Sequence, residues 1–322
     1  MPRLQRGPSA SVLDDGKTEL NLLQLELLHT YDTFTWTALP WSPVLGDFWR
    51  VSVPSLALKH EYLMKALLAI PALQLAKLRP ERRGLYISTA LEYYRVASET
   101  ARDILHNVSE TDGVPLFLFS ALILGIPQRS AIGTIADDDA SFYDLIGILQ
   151  GMKGLLDDLS ENISKSTLAP LVSYGAERWA FQQHHDQPEL DFQQNKEPLD
   201  DFQALLGNRN LESDTLAVYN KVIERLRDAS KYVHVWEGAD ALVWIYRSLE
   251  DFIPLLELRK QEALVLLAHF AVVLSRCETQ WWLHGWAYHI MSSVYRNLDE
   301  DHKIWVYGPA NEIGWVFPQC CE

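Results

Sequence analysis

Ala263-Leu-Val-Leu-Leu-Ala-His-Phe-Ala-Val-Val-Leu274 is an apolar run interrupted only by His269. It is too short to cross a hydrocarbon layer of about 30 Å, so it reads as a helix enclosed by protein. A second segment follows closely: Trp281-Trp-Leu-His-Gly-Trp-Ala-Tyr-His-Ile-Met-Ser-Ser-Val-Tyr295. Steps of four, three and four residues put Trp282, Trp286, His289 and Ser293 on one helix face. Trp281, His284, Tyr288, Met291 and Tyr295 form the face beside it. A helix that is aromatic nearly all round is buried or borders a cavity. The two segments predict an all-α fold, a single multi-helix domain with an apolar internal pocket near its C-terminal helices.

The rest of the chain carries the same helical period. Leucines at 20, 23, 27 and at 22, 25, 28 form a stripe that ends near Thr37. The run 62–78 is apolar, and Pro71 inside it predicts a kink at 67–71. Gly84 to His106 is amphipathic, with Glu92, Arg95, Glu99 and Arg102 spaced for pairing. Asp112 is a candidate cap for a buried helix over 114–125. Further helices are expected at 139–159, 167–181, 212–233, 238–252, 260–276 and 279–297. Residues 1–18 lack periodicity and read as a loose arm before a helical domain over 19–322. Within that domain, 182–201 is rich in Gln, Asp and Pro and reads as a long mobile loop. The stretch 301–322 is aromatic without a period and reads as an irregular strap. There is no strand-like alternation, repeat or Gly-rich phosphate loop.

Composition narrows the function classes. Hydrophobic residues make up 48% and charged residues 22% of the 322, the balance of a globular protein. A net charge of −15 repels phosphate, which argues against direct nucleic-acid binding by the body of the chain. Arg3 and Arg6 lie in the loose arm, and Lys77, Arg79, Arg82 and Arg83 read as a solvated helix end. Cys277, Cys320 and Cys321 give neither a disulfide framework nor zinc spacing, as in a reducing compartment. With no apolar leader at the N-terminus and no membrane span, the expected location is intracellular, cytoplasmic or nuclear. Asp157-Asp158 with Glu161 has the look of a magnesium motif, but no facing partner motif exists. Asp137 to Asp139 reads as a helix N-terminus, and His184-His185-Asp186 as a loop without ligand geometry. No metal and no cofactor is called for, and no nucleophile–base order stands out.

Several of these segments together resemble a known family. Leu20 to Tyr31, His60 to Ala76, Ala263 to Ala271, Trp281 to Ala287, Trp305 and Glu312-Ile-Gly-Trp315 are similar in order and spacing to the C-terminal regulatory domain of fungal zinc-cluster transcription factors of the sterol uptake control type. That resemblance implies an all-helical domain holding a sterol in a hydrophobic pocket near its C-terminal helices. Such factors also carry an N-terminal cluster of six cysteines that binds two zincs and reads DNA. Here 18 residues precede the first helix and none is cysteine, so the expectation is a ligand-binding domain without that DNA reader. Pro71 stands where the family has an ordinary helix former.

Two functions follow. The first is a sensor-type domain that binds an apolar molecule of sterol or terpenoid size. Its candidate contacts are Trp281, Trp282, Trp286, His289, Met291, His269, Trp305 and Trp315, and Gly285 would allow close approach. The competing reading of these residues is plain core packing, with His269 bonded to a carbonyl. The second function is a cofactor-free cyclase of secondary metabolism, such as a Diels–Alderase, in which the same pocket folds the substrate. His289, His284 or Tyr288 would then polarise a carbonyl. Besides the small molecule, a second copy of the chain, as a homodimer, is the partner entertained.

Overall fold

Leucines at helical spacing begin the fold where the stripe places it. Helix α1 (Leu22–Thr30) is capped by the Asn21 side chain, which accepts from Gln24 N. It continues through a wider turn at Tyr31–Thr35 to Ala38. The computed structural model describes residues 20–39, 43–109, 111–124, 147, 150–155, 157, 163, 165–183, 198–209, 211–232, 238–248, 250–277 and 284–317. Among them there are helices, turns and no strand.

Helix α2 (Glu61–Leu78) runs unbroken through Pro71, with every residue from Ala66 to Ala76 buried. The ring at Pro71 denies the Leu67 carbonyl its usual donor, and the surrounding packing holds the helix regardless. Helix α3 (Arg83–Leu105) lies along α2 in the most extensive helix pair of the N-terminal half. Its buried residues are Tyr86 and the alanines at 90, 97 and 101, facing a partner that buries alanines at 66, 69, 72 and 76. Small side chains on both surfaces let the two backbones approach closely. On the outer face of α3, Arg95 bridges Glu92 and Glu99 at 2.8 and 2.7 Å, as the spacing predicts. Helix α4 (Gly113–Leu124) packs on both. Asp112 precedes it, but its carboxylate turns back to accept from the Ser109 N–H and hydroxyl. It therefore closes the preceding turn.

The C-terminal half contains α5 (Ala169–Gln183), α6 (Pro198–Asn208), α7 (Ser213–Tyr232), α8 (Gly238–Ser248), α9 (Gln261–Arg276), α10 (Trp286–Asn297) and α11 (Tyr307–Ile313). Helix α9 is the run that opened the sequence reading, and α7, α10 and α11 pack around it. Two expectations change. The loop drawn over 182–201 gives way at Pro198 to α6, started by proline in the first turn with Asp200 and Asp201 beside it. Leu199, Phe202 and Leu206 are its buried stripe. The irregular strap is largely helical: Glu300–Lys303, a tight turn at Ile304–Val306, and α11. The remainder of that loop, the 1–18 arm, most of the 139–159 helix, and the Asp137–Asp139 and His184–Asp186 clusters lie outside the described residues. No helix of the described residues is long and apolar enough to cross a membrane, and none of their His, Cys, Asp and Glu side chains form a metal-sized cluster of three.

One buried charge fixes α5 to α8. Asp240 is fully buried, and its carboxylate accepts from Arg178 Nε at 2.9 Å and from Gln182 Nε2 at 3.0 Å. Removing the carboxylate takes a fully buried acceptor away from both Arg178 and Gln182. Asp240→Ala is therefore expected to cost about 3–5 kcal/mol, the range for breaking a buried pair. Denaturant unfolding followed by circular dichroism measures it, and a loss below 1 kcal/mol would refute the anchoring role.

Candidate ligand-binding site

Helices α9 and α10 form an antiparallel hairpin whose register is set at its open end by one side chain. Gln261 donates through Nε2 to the Asn297 carbonyl at 3.2 Å and accepts through Oε1 from Asp299 N at 2.8 Å. Arg259 adds a 2.7 Å bond to Asn297 Oδ1. Both helices rise by about 1.5 Å per residue. Eight residues from Gln261 along α9 and eight back from Asn297 along α10 reach His269 and His289, which therefore sit at one level of the hairpin.

Helix α10 divides its faces. Ala287, Ile290, Met291 and Val294 are fully buried toward the core. Beside them Trp286, His289 and Ser293 form a stripe that keeps a trace of accessible surface, 7, 8 and 7%. The Trp286 and His289 rings meet edge to face at 6.3 Å. On α9, His269 is the half-buried residue in a helix otherwise sealed from Glu262 to Leu274. Its imidazole is nonetheless deep in the protein: burial pulls its pKa from 6.5 to about 4, so it is neutral at physiological pH. Its neighbour Phe270 stacks on Trp244 of α8 at 4.5 Å.

The outer face of α10 does other work. Tyr288 is nearly half exposed and donates to the Gly314 carbonyl at 2.9 Å. Trp315 donates through Nε1 to Ser292 Oγ at 3.0 Å, and the Tyr295 ring lies 5.2 Å from Trp315 and 5.5 Å from Phe317. Tyr288, Ser292 and Tyr295 thus form the seat on which the C-terminal segment closes. Gly314 makes the approach, with a φ of 72° and the paired bonds Trp315 N to Ala310 O and Gly314 N to Asn311 O that end a helix in the left-handed region. Trp305 packs on Phe202 of α6 at 5.5 Å. His284 is exposed at the start of α10. Of the candidates named from sequence, the structure groups His269, Trp286, His289 and Met291 at the α9–α10 hairpin. It sends Tyr288 and Trp315 to the strap, Trp305 to α6 and His284 to the surface. Trp281 and Trp282 lie outside the described residues. Gly285 serves conformation, not close approach: its φ is 89°, and a Cβ there would meet nothing within 4 Å. Cys277 is buried and its thiol is pushed up to about 12 by burial and by Asp240, which makes it inert.

The chain is 24% identical over 311 residues to a Zn(2)-C6 fungal-type transcription factor of Gibberella zeae, covering 92% of this chain. It is 32% identical over 133 residues to Sterol uptake control protein 2 of Saccharomyces cerevisiae, and 33% over 82 residues to the Zn(2)-C6 fungal-type transcription factor afumD of Aspergillus fumigatus. Its homologues are fungal Zn(2)-C6 transcription factors. No protein-family model matches it. The chain spans 62% of the length of the Gibberella factor, and the matches span 14% and 22% of the yeast and Aspergillus factors.

His269 makes the hairpin pH-sensitive in a definite direction. Its folded pKa lies below the unfolded value, so the neutral form is the one the fold favours. That contribution is complete above pH 6.5 and is lost as pH falls toward about 4. The wild type should lose about 3 kcal/mol over that window relative to His269→Gln. Parallel urea titrations at pH 7 and pH 4 test it, and equal losses in both proteins would reject the buried neutral imidazole.

Proposed function

We propose that the chain is a ligand-binding regulatory domain that encloses an uncharged apolar molecule of sterol or terpenoid size between α9 and α10. The observation that carries this is His269. It keeps accessible surface on a helix otherwise sealed from Glu262 to Leu274, while burial pulls its imidazole's pKa down, which is what a side chain bordering an internal hollow would show. The Trp286–His289–Ser293 stripe supports the reading, because it supplies an aromatic wall with polar groups at the level of His269. Affinity would come from apolar burial, at about 25 cal/mol per Å², and the neutral imidazole would orient a hydroxyl or carbonyl. The similarity to a sterol uptake control protein supports a sterol-like ligand and a place inside the cell.

Titration with ergosterol and with farnesol, followed by tryptophan fluorescence and melting temperature, tests this. A saturable rise is expected, about 2.7 kcal/mol at a ligand concentration of one hundred times Kd. Trp286→Ala should weaken binding at least tenfold. Silence with both molecules would remove the reading.

The same pair of imidazoles favours a second use. A neutral histidine donates a hydrogen bond to a carbonyl without giving up a proton, which is the assistance a cycloaddition needs once the substrate is folded. A cofactor-free cyclase would form product from a terpenoid-linked diene and enone above background. His289→Ala would lower that rate while Ser292→Ala would not. Equal rates with and without protein assign the hairpin to binding alone.

A further inference from the structure

In a chain of net charge −15 most arginines have a carboxylate at hand. Arg95, Arg178, Arg209, Arg227 and Arg276 each hold one. Arg225 on α7 and Arg247 on α8 do not. Arg225 donates through Nη1 to the Arg247 carbonyl at 3.1 Å and lies 3.4 Å from Ser248 Oγ, and its Nε and Nη2 edge has no acceptor among the described residues. The Arg247 guanidinium has none at any nitrogen. Both charges instead gather at one half-buried indole, Trp179 of α5, at 5.7 and 4.8 Å from its ring centroid, with Tyr246 at 5.9 Å from Arg247. Asp251 reaches Arg225 with its field, but that carboxylate is held by Lys221 and makes no ion pair with either arginine.

Two like charges against one ring, one of them half-buried, oppose each other. Burial first and then the Arg247 charge bring the Arg225 guanidinium below its usual range. Contact with an indole face returns part of that cost, about 0.5–1 kcal/mol at exposed sites. What completes the arrangement is an anion. A planar fork presents parallel N–H groups that match phosphate and carboxylate oxygens two at a time, and both arginines have such edges vacant of protein acceptors. We propose that Trp179, Arg225 and Arg247, where α5, α7 and α8 meet, form a binding site for a phosphate or carboxylate group. The site stands apart from His269. It nonetheless touches the same core, because Trp244, which donates to the Arg225 carbonyl at 3.4 Å, stacks on Phe270 of α9.

The anion has two sources, a free one or the head of an amphiphile, and calorimetric titration of the whole chain separates them. Inorganic phosphate is one arm, dodecyl phosphate below its micelle concentration the other, and sodium chloride at matched ionic strength the control. Saturable heat with either phosphate, weakened at least tenfold in Arg247→Gln and partly in Arg247→Lys, establishes the site, and the arm that responds names the source. Arg247 is exposed, so these variants fold. In anion-free buffer Arg247→Gln should melt no lower than wild type, because it relieves repulsion. Heat no larger than that of chloride, binding indifferent to Arg247→Gln, or a lower melting temperature of that variant without phosphate would each overturn the proposal. None of these readouts depends on whether ergosterol or farnesol binds.

Discussion

A helix buried round its whole circumference has to be surrounded before it can exist, and α9 is such a helix. Apart from His269, every side chain from Glu262 to Leu274 is shielded from water. Fully burying a large apolar side chain stabilises by about 1.5–3 kcal/mol, so this element gains its stability only when α7, α10 and α11 close on it together. Its first turn carries Glu262, a buried carboxylate that needs a partner at that depth. Arg209 at the end of α6 donates to it at 2.8 Å and also lies 2.8 Å from His302 Nε2, whose other ring nitrogen meets Asp299 at 2.6 Å. The polar groups at the end of α9 thus recruit α6 and the C-terminal turn, and the apolar middle recruits the rest.

The division of α10 follows from that demand. One face must seal α9, and Ala287, Ile290, Met291 and Val294 do so. The opposite face would be left aromatic and wet, and the strap covers it, with Phe317 in ring contact with both Trp315 and Tyr307 and Tyr295 beneath. Between the two faces lies the buried Trp286–His289–Ser293 stripe.

Helices α3 and α7 were legible in the sequence because their burial repeats at helical spacing whatever the partner, and α2 and α9 because they are apolar runs buried over three turns or more. Helix α6 was hidden by composition: Asp200 and Asp201 look like loop residues until they are seen as the first turn of a helix led by Pro198. The site was legible in part. Sequence spacing put Trp286 and His289 on one face, but aromatic content does not separate a residue that lines a hollow from one that glues a strap, so Trp305 and Trp315 were grouped with them. The level of His269 against His289 depends on Gln261 bonding two backbone groups beyond α10, a contact without periodic signature. Arg225 and Arg247 escaped notice because an arginine that lacks a carboxylate looks in sequence like one that has it.

Charge sorts what such a hairpin can admit. A net charge of −15 disfavours an anionic guest for the proposed hairpin site, and an ionised group would lose its hydration there beside a neutral imidazole. A cationic guest would be attracted by the net charge but would likewise lose its hydration beside a neutral imidazole. The guest that suits the proposed role is a neutral molecule whose carbon skeleton would replace water against Trp286 and whose single hydroxyl or carbonyl would meet an imidazole. Negative charge, where a ligand carries it, would belong at the separate proposed site of Arg225 and Arg247. The two proposed sites, apolar enclosure on α9 and α10 and anion capture on α5, α7 and α8, would give one fold two chemically distinct inputs that meet at the Trp244–Phe270 stack.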